Sequence, residues 1–337
     1  MNPKSLSFHL EPTFRCNLGC EMCPRFSSED PYLDMSLETY HRIVEAMPFA
    51  HTVDFTGWGE SMLHPKIYQM IRMAKDSQCM TAMTSNGTVL NDTNCLRLIE
   101  SGLDFLSISV DGMTRETFNK IRIGADFDRV VQNLQSLTQL LHERESGMEL
   151  SIAFTIQEDN ASELLLIPDF MKSVGATVLH LKHLNAISNQ ADWERSFLKY
   201  RLRPYDRKAF RRDPLRRLEK HIKEVMRQCE AEGMQVKMHS EFPMSSELKP
   251  RHCLAAPLEA VYFSFEGQVA PCCYFGHHVA RYYDGLQHSP TSLFYGDIKR
   301  DNFPDIWNSP SFLEFRRGFA TENYPDECKK CYLLYGK

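Results

Sequence analysis

The sequence predicts an α/β protein whose parallel strands are joined by crossover helices, followed by a smaller cysteine-bearing unit at the C-terminal end. Three observations predict it. Apolar β-like runs alternate with helical patterns along the first half of the chain, which is the order expected of parallel strands. Turn residues close the strands at their C-terminal ends, where ligands gather in such architectures. After residue 250 the alternation stops and cysteines return in a second group.

Taken in order, Leu6–Leu10 reads as the first strand and Ser36–Met47 as the first helix. Val53–Thr56 is the second strand, closed by Gly57-Trp58-Gly59, and Lys66–Asp76 is the helix that returns from it. Met80–Thr84 ends on Asn86-Gly87, and Asn91 caps the helix Asn91–Ser101. Phe105–Val110 ends on Asp111-Gly112 and is followed by the helix Phe127–Leu141. Leu150–Ile156, the helix Ser162–Val174 and Val178–Leu181 complete six strands. The expected domains are a core over 1–185, a basic helical connector over 186–250 and a cysteine-bearing domain over 251–337.

A chain of 337 residues can bury a core plus a small accessory domain. Met1–Leu10 lacks a signal-peptide pattern and no stretch approaches a membrane span, so the expectation is a cytoplasmic protein without a membrane partner. Its net charge of -5 serves solubility. Arg195–Lys223 stands apart, with twelve Lys or Arg against three acids. Arg201, Arg203, Arg207, Lys208, Arg211 and Arg212 could receive an anionic substrate or simply form a solvated face. Only Tyr200, Tyr205 and Phe210 interleave with them, too few aromatics for a nucleic-acid platform.

The eleven cysteines carry the chemistry. In a reducing compartment, clustered cysteines bind metal or do redox chemistry more often than they form disulfides. Cys16, Cys20 and Cys23 follow the first strand directly. Three thiolates around a four-iron cluster leave one iron open to an amine and a carboxylate. Structural zinc is the alternative, but zinc knuckles favour paired two-residue spacings with a fourth ligand nearby, for which His9 and His41 are poor candidates.

This Cys, three residues, Cys, two residues, Cys loop resembles the hallmark of the radical S-adenosylmethionine (SAM) superfamily. The resemblance implies a partial (β/α)6 TIM-like barrel. It also implies that SAM chelates the open iron of a [4Fe-4S] cluster and is cleaved to methionine and a 5′-deoxyadenosyl radical that abstracts a substrate hydrogen. Gly57-Trp58-Gly59-Glu60 resembles the family's Gly-Gly-Glu motif, which receives the SAM amine; Gly59 and Glu60 carry the likeness, and Ser61 departs from the usual proline. Ser109 and Asp111 end the fourth strand in the manner of members that set a polar side chain against the SAM ribose, although Asp111-Gly112 also reads as a turn. Arg122 could pair the SAM carboxylate through its guanidinium fork, or cover a solvated face.

At the other end, Val261–Phe265 and Gln268–Ala270 read as a β-hairpin that brings Cys253 and Cys272 together, ahead of helices at Phe303–Trp307 and Pro310–Phe319 and the pair Cys328 and Cys331. This pattern resembles the SPASM/Twitch auxiliary-cluster domains. With two cysteines after Gly296, the shorter Twitch type fits, with one auxiliary [4Fe-4S] cluster on Cys253, Cys272, Cys328 and Cys331 and with Cys273 spare. Zinc is again the alternative. Cys79, Cys95 and Cys229 read as buried small hydrophobes.

A closed second cluster can accept an electron from a substrate radical. The expected function is therefore a radical SAM oxidoreductase that completes a two-electron oxidation, such as alcohol dehydrogenation. The alternatives are a maturase that modifies or cross-links a peptide, and a non-catalytic metal-binding module. No segment precedes the first strand to recognise a peptide, which favours a small-molecule substrate. The expected partners are that substrate, anionic, or a peptide, with an external electron donor such as flavodoxin or ferredoxin. His180, Lys182, His183 and Glu241 are conceivable bases, and none is assigned a catalytic role.

Overall fold

The computed structural model describes residues 4–202, 214–239, 253–283 and 285–334. Arg203, Arg207, Lys208, Arg211, Arg212 and Glu241, and the side chain of Arg201, lie outside what is described.

β1 (Leu6–Leu10), β2 (Ala50–Asp54), β3 (Met80–Ser85), β4 (Phe105–Ser109), β5 (Glu149–Ile156) and β6 (Val178–His183) pair in chain order, every pair parallel. Helices α1 (Leu37–Ala46), α2 (Ile67–Asp76), α3 (Asp92–Ser101), α4 (Arg115–Ile121), α5 (Phe127–Glu143) and α6 (Ile167–Val174) form the crossovers. Strand residues alternate between two environments. Phe8, Leu10, Val53, Ile108, Phe154 and Leu181 are sealed in the core. Thr84, Ser109 and Thr155 instead face the cavity described below.

Local chemistry sets the helix ends. The Ser36 hydroxyl accepts from the Thr39 N–H and the Asn91 side chain from the Asn94 N–H, capping α1 and α3. Gly102 ends α3 with φ of 80°.

Several expectations shift. The second strand is Ala50–Asp54, earlier than the expected Val53–Thr56, and Thr56, beyond its end, belongs to the cavity wall. The helix expected over Ser162–Val174 is a 3-10 turn, Ala161–Leu166, followed by α6, since Pro168 has no N–H to continue a single helix and fits a first turn instead.

The chain adds α7 (Gln190–Arg195), α8 (Leu198–Leu202) and α9 (Pro214–Ala231) before β7 (Gln235–Met238), which joins β6 in parallel. The C-terminal hairpin, β8 (Ala260–Phe263) and β9 (Gln268–Ala270), does not stand apart from the first sheet. β8 pairs parallel to β1, so β1 is an interior strand and the barrel is left open between β1 and β6. β10 (Val279–Tyr283) and β11 (Leu286–Thr291) form a separate antiparallel pair, and β12 (Gly296–Asp297) borders β9. Helices α10 (Phe303–Trp307), α11 (Pro310–Ala320) and α12 (Asp326–Lys329) complete the chain. The seam is aromatic: Phe8 of β1 lies 5.0 Å from both Phe263 of β8 and Phe303 of α10. No helix among the described residues is long and apolar enough to cross a membrane.

Candidate active site and auxiliary cysteine site

A cavity of about 240 Å³ opens at the C-terminal ends of β1 to β6. Cys16, Cys20 and Cys23 line it together with Gly59, Glu60, Ser109 and Arg122. The cysteine loop is fastened from several sides: Gly19 N–H donates to the Ile123 carbonyl, Glu21 N–H to the Ile121 carbonyl, and the Arg25 guanidinium to the Leu18 carbonyl. Asn86, beyond β3, donates to Asn17 at 2.9 Å and reaches the Cys16 Sγ at 3.9 Å. Burial raises the Cys20 thiol pKa against the opposing charge of Arg122, and pushes Cys23 up to about 11; their neighbouring thiols raise both further. Thiols held this way ionise when a metal centre takes the proton's place.

Glu60 is buried, and both its oxygens are engaged. One accepts from the Ser85 hydroxyl at 2.8 Å and the Met62 N–H at 3.1 Å; the other accepts from the Asn86 N–H at 2.7 Å. Burial raises its pKa against these bonds. Glycines let the preceding turn approach: a Cβ on Gly57 would lie 2.4 Å from the Glu11 carboxylate, and one on Gly59 would lie 2.0 Å from the Thr13 carbonyl oxygen.

Asp111 stands behind the cavity wall. It accepts from the Arg122 Nε at 2.8 Å and from the Thr155 N–H at 2.7 Å. Arg122 therefore faces the cavity as a cation held in place, its charge favoured by Asp111 and Cys20 despite burial. The turn reading of Asp111 and the binding reading of Arg122 merge into one ion pair.

The second cysteine group gathers beneath the hairpin. Leu254 N–H donates to the Leu333 carbonyl and Cys331 N–H to the Cys328 carbonyl, bringing the segments of Cys253, Cys328 and Cys331 together. Burial raises each thiol pKa, that of Cys272 to about 11, and the Cys253, Cys272 and Cys328 thiols are close enough to others of the set to raise one another. Among the described residues, no three Cys, His, Asp or Glu stand at the spacing of a single metal ion. Burial raises the Cys273 thiol pKa, as do its neighbours Cys272 and Glu11, while Trp58 opposes them.

Two family models match the chain: the radical SAM superfamily over residues 10–152, and an iron–sulfur cluster-binding domain, SPASM, over residues 253–332. This chain is a radical SAM protein with a C-terminal SPASM domain. SAM and two iron–sulfur clusters are its cofactors.

Relatives similar along nearly the whole chain include the cofactor-modifying protein for tungsten-containing aldehyde ferredoxin oxidoreductase of Pyrococcus furiosus, 24% identical, covering 96% of this chain and 86% of the relative. The AdoMet-dependent heme synthase of Nitratidesulfovibrio vulgaris is 26% identical, covering 95% and 83%. Among solved radical SAM structures, Streptococcus suis SuiB bound to its precursor peptide SuiA superposes with a TM-score of 0.65 at 15% identity, over 99% of this chain and 71% of SuiB. AdoMet-bound anSMEcpe gives 0.66 at 16% identity, over 98% and 84%. These superpositions establish the fold.

The radical SAM half also contains groups that motif reading passed over. Glu11, fully buried just after β1, accepts from the Trp58 N–H at 2.6 Å and the Gly59 N–H at 3.2 Å, bracing the glycine turn. Its other oxygen takes the Tyr262 hydroxyl and, at 2.6 Å, the Nε2 of His277 in the SPASM segment. His277 Nδ1 meets Asp30 at 2.7 Å, and the ring stacks on Trp58 at 4.2 Å between centroids. One buried glutamate after the first strand was the available signal; its histidine partner is 266 positions away in a different domain.

Of the conceivable bases, Lys182 pairs in register with Thr155, which lines the cavity. Its ammonium pKa is lowered by burial, against the charges of Asp54 and Asp111. His180 stacks on His239 with centroids 4.7 Å apart, and burial pulls both down to about 4. His183 is buried on the opposite face of β6.

Proposed function

We propose that this radical SAM enzyme is an oxidoreductase acting on a small, cofactor-like molecule. Cys16, Cys20 and Cys23 hold the SAM-binding [4Fe-4S] cluster, and Cys253, Cys272, Cys328 and Cys331 hold the auxiliary one. The carrying observation is the cavity itself, in which three thiols, an anchored carboxylate and an anchored guanidinium face the same space. The cofactors supply a 5′-deoxyadenosyl radical that takes a substrate hydrogen, and an electron acceptor that completes a two-electron oxidation.

The chain's own residues bind and orient. Glu60 and the carbonyls of the Gly59 turn accept from the SAM amine, Arg122 pairs its carboxylate, Ser109 bonds its ribose, and Asp111 acts through Arg122. Lys182, at the strand end beside Thr155, attracts an anionic substrate group and is the candidate to hold or move a proton there. An external flavodoxin or ferredoxin supplies the first electron.

A cofactor-like substrate is supported by relatives named for heme synthesis and for cofactor modification that span the chain almost end to end. A peptide substrate is the second reading, favoured by the likeness to SuiB with its precursor peptide.

The deciding experiment is anaerobic reconstitution of wild type and Cys16→Ala with SAM and dithionite, with 5′-deoxyadenosine quantified by chromatography. Cleavage by wild type alone supports the assignment. Cluster-loaded wild type that makes none above background overturns it. Lys182→Met should then keep slow, uncoupled SAM cleavage while losing at least tenfold in substrate turnover, the loss expected of a charged contact to a reacting substrate.

A further inference from the structure

Arg281, on β10, is buried beside the SPASM cysteines. Its Nη1 donates to the Glu327 carbonyl at 3.3 Å, and its guanidinium carbon lies 4.1 Å from the centre of the Phe275 ring. Among the described residues, its Nε and one further nitrogen, Nη2, have no hydrogen-bond partner. Ring and carbonyl do not neutralise the charge. Removing a cation from water costs several kcal/mol unless an anion compensates, and no carboxylate forms an ion pair with this one among the described residues. Its contacts place it at the cysteines: Glu327, whose carbonyl takes Nη1, directly precedes Cys328, and Phe275, under the guanidinium, donates its N–H to the Cys272 carbonyl. Two directional donors and a full charge are therefore buried against the site whose four thiolates would give a bound cluster its net negative charge.

We propose that Arg281 tunes the auxiliary cluster: its guanidinium is the counter-charge and hydrogen-bond donor of that cluster, and it raises the cluster's reduction potential. The proposal rests on the assignment of Cys253, Cys272, Cys328 and Cys331 as ligands. One-electron reduction adds one negative charge to the cluster. A fixed cation in a low-dielectric site stabilises that form over the oxidised one, as do hydrogen bonds to the cluster's sulfurs. A cluster poised higher is a better acceptor for an electron leaving a substrate radical. Arg281 is thus a positioning and tuning residue that need not touch substrate.

The test compares wild type, Arg281→Lys and Arg281→Met as full-length protein carrying both clusters, using redox titrations followed by electron paramagnetic resonance. In Arg281→Met, the ratio of reduced to oxidised auxiliary cluster at fixed potential should fall at least tenfold, a midpoint lowered by about 59 mV or more. Arg281→Lys, which keeps the charge and loses the fork, should shift less. The signal of the N-terminal cluster, and its change on adding SAM, should be the same in all three.

An unchanged auxiliary midpoint in Arg281→Met overturns the proposal. If that variant loses auxiliary iron while Arg281→Lys keeps it, the guanidinium is supported as the cluster's counter-charge. Equal loss in both would mean that Arg281 acts through packing alone, and would also overturn it. Failure of the underlying assignment looks different: wild type itself would then carry about four irons in place of about eight, with no second signal.

Discussion

At the scale of single residues, the site is defined by groups that hold other groups. Glu11 braces the turn from which Glu60 projects, and the pair of Glu11 and Asp30 keeps His277 charged. Burial alone would lower the imidazole pKa, but the charge of Glu11 and the bonds to Asp30 and Glu11 push it up to about 9 from 6.5. A raised folded-state pKa means that the native protein holds a proton the unfolded chain has released. The stabilisation is complete below pH 6.5 and is lost as pH climbs through about 9. For a shift of this size it is roughly 3 kcal/mol. Thermal unfolding of wild type should therefore weaken from pH 6.5 to 9. The His277→Gln variant, less stable near neutrality, should show a flatter profile, and a slope equal to wild type's would refute the assignment. Gly59→Ala offers a second test. Its methyl group would press to 2.0 Å on a backbone oxygen, which cannot swing aside as a side chain can. Calorimetry should find SAM affinity at least tenfold weaker, from displacement of the turn by overpacking.

Among the elements, β1 bears the most. It delivers the cysteine loop at its end, pairs with β2 on one side and carries β8 on the other. Phe8, at its centre, is fully buried and packs against two rings of the C-terminal half, Phe263 and Phe303. Phe8→Ala should cost about 3–5 kcal/mol, as large aromatic deletions do. Urea titration should show one transition at a lower midpoint for both halves together. Two separated transitions would mean that the β1–β8 seam does not couple them.

For the whole molecule, strands from the SPASM side extend the open sheet along β1, so the radical SAM half is not an independent block with an accessory attached. A chain ending at residue 252 would expose the edge of β1 and the apolar face of Phe8, and unpaired edges of that kind aggregate. Such a truncation should be insoluble or lack a cooperative melt, as assayed by sedimentation and circular dichroism; a soluble truncation that folds and binds SAM would contradict this. The two cysteine groups, in contrast, should load separately. Cys16→Ala, Cys20→Ala and Cys23→Ala combined should leave about half the iron and none of the SAM-dependent spectral change, as measured by iron analysis and electron paramagnetic resonance.

Much of this was legible in the linear order of residues, because the signals are local. Strand periodicity, helix caps such as Ser36 and Asn91, and ligands spaced within one loop all lie within a few positions of one another, and the cluster loop is confined to Cys16–Cys23. Gly59 and Glu60, which line the cavity, stood out as a motif for the same reason. The long-range pairings were not legible. That β8 would lie along β1, that Asp111 would hold Arg122 and not face the cavity, and that His277 would meet Glu11 depend on which elements the folded chain brings together. Cys272 and Cys273 make the distinction plain. Neighbours in sequence and alike in chemistry, they differ in surroundings that only the fold supplies: Glu11 and Trp58 act on the Cys273 thiol and not on that of Cys272. Sequence determined which chemistry the protein carries, since ligand type and spacing are local. Tertiary structure decided which buried charges meet, since an ion pair between distant residues exists only where packing excludes water and places both groups within bonding distance.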